Sequence, residues 1–272
     1  MKSTWRVIRQ LILVVLCGIF LGVFIFAAYQ LYQTFHGYST AKKQYENLNQ
    51  QFVSAETTEP SAEPAATPAS DRPMTDDPTP AVVSGPITVD FASLQAQNQQ
   101  VVGWIYSPDT VISYPVLRGT DNEYYLHHFI DGSENASGSI FMDYLCEDDL
   151  SSTNTLIYGH HMNNGSMFAG LVNYKNEGYL AAHPTLYYYT PSQVYRMDVF
   201  ACFVTDGNSD VYTINFNSTG DYQYFLDQMR SRSDFDAGVD VTVYDRIMTL
   251  STCSYEYNDA RYVVLCKIAP MQ

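Results

Sequence analysis

Basic residues are scarce in this 272-residue chain: 14 Lys and Arg stand against 29 Asp and Glu, a net charge of -15. A surface this acidic repels phosphate backbones, so nucleic acid is not an expected partner. Tight docking on anionic lipid is disfavoured for the same reason. Cysteine is also sparse, and its five copies form no CxxC and no Cys/His ligand spacing, which argues against zinc or any other bound metal. Cys17 lies in an apolar N-terminal run. Cys146, Cys202 and Cys266 sit in or beside apolar or aromatic segments and read as small buried hydrophobes. No internal repeat is present.

Tyrosine, by contrast, is abundant, with 23 copies that suit strands and groove walls with one wet edge. "LILVVLCGIFLGVFIFAAY" spans Leu11–Tyr29 without a charge. At about 1.5 Å per residue it approaches the roughly 30 Å of a hydrocarbon core. A cleaved signal peptide is the alternative, but the run is too long for one and Phe26 spoils the small-residue site near Ala27. Lys2, Arg6 and Arg9 precede it, which favours a cytoplasmic N-terminus (residues 1–10) and an extracellular remainder. Lys42 and Lys43 lie farther from the run and weaken that bias without cancelling it. The expected organisation is therefore a single-pass anchor at 11–29, a juxtamembrane segment and Pro-rich linker at 30–86, and a folded domain at 87–272. His36–Val53 is polar with scattered apolar residues, compatible with a short helix. Residues 56–86 hold seven of the twelve prolines and almost no large apolar side chains, the composition of an extended spacer.

Within the domain, Asp90 is an N-cap candidate for a short helix bearing Phe91 and Leu94. Eight strand-like runs follow: Val101–Tyr106, Val111–Leu117, Ser139–Asp143, Thr155–His160, Thr185–Tyr189, Val194–Val204, Val241–Thr252 and Tyr262–Ile268. They predict a mainly β sandwich or barrel. "DYQYFLDQMRSRS" from Asp221 has helical spacing and interrupts the series.

Two stretches carry candidate chemistry. "NTLIYGHHMNNGSMF" delivers His160 and His161 to a strand end where a polar loop begins. Successive strand residues face opposite ways, so only one of the two is expected to meet a given partner. "DRIMTLSTC" ends at Cys253, and Arg261 opens the next run. A hairpin would set Cys253 and Arg261 side by side. A thiolate is a nucleophile, a neighbouring cation favours it, and an arginine or a backbone N–H stabilises the oxyanion that its attack creates. Histidine supplies the proton for a leaving amine. Spacing alone equally allows three unrelated structural residues.

"TLSTC" with a downstream arginine, together with "YGHHM...GSMF", resembles the sortases, and more narrowly class B. "VVGWI", "ISYPVLRGTDNEYYLHH" and "GSIFMDY" extend the resemblance across nearly all of Ile87–Ile268. It implies an eight-stranded β-barrel with N-terminal helices and a helix before the cysteine-bearing strand. It implies an extracellular cysteine transpeptidase of Gram-positive bacteria that needs no cofactor. Carried over residue by residue, the catalytic set is His160, Cys253 and Arg261, with the Ser254 backbone N–H as a second oxyanion donor. Asn122, Leu126, Tyr158, Tyr212 and Ser251 are the implied substrate-binding residues. The partners implied are secreted proteins with a five-residue C-terminal sorting motif, cleaved after threonine, and an amine of a peptidoglycan precursor. A pilin-linking enzyme that uses a protein lysine as acceptor, and a tethered binding module without turnover, are the alternatives.

Overall fold

The computed structural model describes residues 2–55 and 85–271; the expected spacer lies outside them except for its last two residues. The described chain forms two compact units, Met1–Gln44 and Tyr45–Gln272. Helix α1 runs from Lys2 to Phe52. Among the described residues, no helix is long and apolar enough to cross a membrane. The side chains at positions 11, 12 and 14 of the apolar run lie outside the described set.

The second unit starts earlier than the composition shift at Ile87 suggests. Tyr45, Leu48 and Phe52, at the end of α1, are buried. Tyr45 meets Tyr114 and Phe129 edge-on, with ring centroids 5.1 and 4.9 Å away, and its hydroxyl donates to the Gly138 carbonyl at 2.6 Å. Strand β1 (Val53–Ala55) then pairs antiparallel with β2 (Ile87–Val89). These residues escape a composition reading because only every third or fourth one is apolar, as on any helix that covers a core with a single face.

Helix α2 (Phe91–Gln97) starts as expected, with the Asp90 carboxylate accepting the Ser93 N–H at 3.0 Å. Eight strands follow: β3 (Val101–Tyr106), β4 (Ser113–Leu117), β5 (Ile140–Met142), β6 (Asn154–Tyr158), β7 (Thr185–Tyr189), β8 (Val194–Asp206), β9 (Arg246–Cys253) and β10 (Ala260–Pro270). They close a barrel in the order β10-β8-β7-β3-β4-β5-β6-β9. The sandwich alternative is thereby removed. Strands β4 and β9 start later than their apolar runs by more than one residue. Residues 107–112 turn, with the Ser107 N–H donating to the Ile112 carbonyl at 2.8 Å, and Val111 is left exposed. Residues 242–245 turn where the Asp245 carboxylate accepts the Thr242 N–H at 2.8 Å.

Helices α3 (Tyr124–His127) and α4 (Glu177–Ala182) lie in connections. Helix α5 (Thr219–Arg232) is the interruption before the cysteine-bearing strand; it is capped by Ser218 and has Arg230 and Arg232 in its last turn. Its Tyr222, Phe225, Leu226 and Met229 pack with Phe203, Val263, Leu265 and Ile247 on one face of β8, β10 and β9. Strand alternation puts Cys253 and Arg261 on that same face, at its open end.

Candidate active site

Pairing directions bring the three candidate reactive residues to one end of the barrel. β6 and β9 are parallel, so their C-terminal ends coincide: Tyr158 pairs with Ser251, two residues before His160 and Cys253 respectively. β10 is antiparallel to β9, and its register sets Arg261 directly opposite Cys253. The glycine of "YGH" is required by packing. A Cβ on Gly159 would lie 2.4 Å from Ile140 Cδ1 and 2.8 Å from the Phe168 ring. Gly159 is also tied across to β9, its carbonyl accepting the buried Thr252 hydroxyl at 2.8 Å.

A groove of about 590 Å³ opens at this end. His160, Cys253 and Arg261 line it, and so do Asn122, Leu126, Tyr158, Tyr212 and Ser251. Eight of the nine residues named from the sequence therefore share one cavity. The ninth, Ser254, does not. Its N–H donates to the Ala260 carbonyl at 2.9 Å, closing the β9–β10 hairpin. Its hydroxyl is turned to Lys175 and Glu256. The expectation that this N–H serves an oxyanion is corrected here: the donor is spent within the hairpin.

His160 is held through a groove residue. Its Nε2 lies 2.8 Å from the Leu126 carbonyl oxygen. A carbonyl only accepts, so Nε2 carries the proton and Nδ1 is the ring nitrogen left for exchange. α3 reaches this position because Gly138, at φ +54, packs against its backbone; a Cβ there would lie 2.4 Å from the Leu126 oxygen. Arg261 is braced by its own strand entry. Its Nη2 lies 2.9 Å from Asp259 Oδ1, and its Nη1 donates to the Ala260 carbonyl at 3.2 Å. The guanidinium has five N–H donors, so these two contacts leave capacity for a developing oxyanion.

The walls are built from partly buried polar links. The Asp143 carboxylate, at the end of β5, accepts from both Asn122 Nδ2 and the Tyr158 hydroxyl at 2.9 Å. Burial, reinforced by this carboxylate, pushes the Tyr158 hydroxyl far up, so it stays a donor. Tyr212 and Ser251 share a hydroxyl–hydroxyl bond of 2.9 Å. The turn carrying Tyr212 is tied to α5 by the Arg232–Asp210 pair, whose bond to Arg232 holds the Asp210 carboxyl below its ordinary range. Phe141, Thr252 and the loop residues Gly207–Ser209 complete the lining and were not anticipated. Asp143 had one visible signal, an acidic residue closing the apolar run "GSIFMD". The 207–209 loop had none. No group of His, Cys, Asp or Glu capable of holding a metal is found among the described residues.

The arrangement joins a half-exposed thiol, an imidazole of fixed tautomer and a guanidinium in one groove, the components of acyl transfer. Comparison with known proteins agrees. The sequence profile described as "Sortase domain" matches residues 105–269. Sortase B of Listeria monocytogenes is 39% identical over 190 residues, covering 68% of this chain and 76% of the relative. The structure of a Staphylococcus aureus sortase B–substrate complex superposes with a TM-score of 0.64 at 36% identity, covering 67% of this chain and 85% of that one. Sortase B from B. anthracis in complex with AAEK1 gives a TM-score of 0.69 at 30% identity, covering 87% and 99%. Barrel, motifs and relatives converge: the chain belongs to the sortase family as a class B sortase, a cysteine transpeptidase.

Proposed function

We propose that Cys253 is the nucleophile of a two-step acyl transfer. Its thiolate attacks the threonine carbonyl of a five-residue sorting motif near the C-terminus of a secreted protein. The tetrahedral oxyanion is held by Arg261. His160, whose groove-facing nitrogen has taken the proton of the Cys253 thiol, gives that proton to the leaving amide nitrogen, and a thioester forms on Cys253 as the C-terminal fragment departs. An amine of a peptidoglycan precursor then attacks the thioester. His160 takes its proton, the Cys253 thiolate is released, and the secreted protein is joined to the wall precursor by a new amide bond. Asn122, Leu126, Tyr158, Tyr212 and Ser251 bind the motif. The observation that carries this reading is the shared groove, with Arg261 opposite Cys253 in the ladder and His160 pinned by the carbonyl of Leu126. Supplying a cleavable sorting peptide with both a peptidoglycan-type amine and a lysine-containing protein tests the acceptor. The reading expects the product on the former, and an isopeptide on the protein lysine would convert it to pilin linkage.

We also infer that Leu11–Tyr29 anchors the chain, with residues 1–10 cytoplasmic and the barrel outside the cell. The run is uncharged, lies within α1, and exposes Ile19, Phe20, Val23, Phe24 and Phe26. Exposed apolar surface of this extent calls for an apolar environment. Retention of the protein in the membrane pellet after alkaline extraction is expected; release into the supernatant would overturn the anchor.

A further inference from the structure

His160 and His161 are neighbours in sequence but border different hollows. His160 lines the groove that holds Cys253. His161 lines a second hollow with Val111, Tyr179 and Tyr255. Extended chain turns successive side chains to opposite sides, so His161 is aimed away from the reacting atoms. It is nevertheless bonded to the residue that carries them. His161 Nδ1 lies 2.8 Å from the Cys253 carbonyl oxygen. Since the carbonyl accepts, Nδ1 is the donor.

The contact is answered and braced. The Tyr255 hydroxyl donates to the His161 carbonyl at 3.3 Å, and the two rings lie 5.0 Å apart. His161 forms an isolated bridge with Met167, whose N–H is bonded by the buried Tyr114 hydroxyl at 3.0 Å. The barrel core thus supports the histidine, and the histidine supports the cysteine. Support matters at this position because Cys253 is the last residue of β9, and its pairing with Arg261 is the last rung of that ladder. Beyond it the peptide plane is held on one edge by the Ser254 N–H bond to the Ala260 carbonyl and on the other by the His161 contact to the Cys253 carbonyl. Reacting atoms displaced by about 1 Å can lose on the order of a hundredfold in rate.

We propose that His161 is a positioning residue for transpeptidation. It holds the Cys253 main chain so that the thiol stays aimed into the groove, and it does not touch the substrate. The proposal rests on reading Cys253 as the nucleophile.

The test compares the full-length chain with its His161→Ala and His161→Asn variants, on a fluorogenic sorting peptide that the wild type cleaves. The Asn amide nitrogen occupies nearly the place of Nδ1 and keeps the donor. The alanine variant should lose about tenfold or more in kcat with KM within twofold, and asparagine should restore most of the loss. A wild-type kcat in the alanine variant would overturn the proposal, as would a change confined to KM. An asparagine variant as impaired as alanine would also overturn it, since ring packing on Tyr255 would then be the source of the effect. Should the alanine variant melt early, Tyr255→Phe removes only an exposed hydroxyl. A kcat about two- to threefold lower at unchanged KM supports the proposal, and no change overturns it. Turnover surviving in Cys253→Ala would instead defeat the nucleophile reading beneath it.

Discussion

Cys253 and Cys266 occupy the two strands of one hairpin. Cys253 ends β9, half exposed in a groove, with Arg261 across the ladder. Cys266 lies well inside β10, between Met248 and Val199, and is fully buried. Burial holds its thiol well above the ordinary range, and burial likewise raises Cys202 on β8 and pushes Cys146 up to about 11. The side chain is the same in each case. What sets Cys253 apart from the packing thiols is that its strand ends at an open rim beside a cation, where those of Cys202 and Cys266 continue through the core.

The comparison breaks most sharply by substitution. Cys253→Ala should abolish transfer, with a loss of at least about a thousandfold, while Cys266→Ala should keep near-normal turnover and lose only about 1 kcal/mol of stability. Turnover assays paired with denaturant melts read both. Arg261→Lys keeps the charge across from Cys253 but loses the planar fork, and kcat should fall on the order of a hundredfold at similar KM. A smaller effect sharpens where the rigid unit begins. A fragment starting at residue 87 lacks Tyr45, Leu48 and Phe52, and it should unfold roughly 3 kcal/mol more easily than one starting at residue 45, measured by urea denaturation. The smallest effect concerns the turn after Cys253. The bond from Lys175, aided by Ser254, lowers the Glu256 carboxyl to about 2. A depressed carboxyl stabilises the fold above its unfolded pKa of 4.5, and that contribution fades as pH falls from there towards about 2. Both partners are substantially exposed, so Glu256→Gln should remove only about 0.5 kcal/mol at neutral pH and nothing in strong acid.

The barrel was legible because each strand is a Val-, Ile- or Tyr-rich run bounded by turn residues, and α5 because Tyr222, Phe225, Leu226 and Met229 recur at helical spacing. The candidate trio was legible through motifs that also fix its geometry: "YGH" needs glycine where Phe168 and Ile140 crowd, and "TLSTC" ends the strand at Cys253. Other features depend on contacts between distant segments, which leave no local pattern. The Tyr45 ring meets a core almost wholly more than sixty residues downstream. Asp143 organises Asn122 and Tyr158 from a separate strand, and the 207–209 loop is polar like any other. The Ser254 N–H looked available because its partner, Ala260, lies on the far side of a turn whose closure only the fold reveals.

The central claim is that Cys253, alone among the cysteines of the barrel, forms a thioester with a sorting motif. Intact-mass analysis of the protein with a library of five-residue sorting peptides tests it most directly. The expected result is an acyl adduct mapped to Cys253, lost on hydroxylamine treatment and absent from Cys253→Ala. An adduct that persists in that variant, or no adduct from a folded protein with any peptide, would contradict the account.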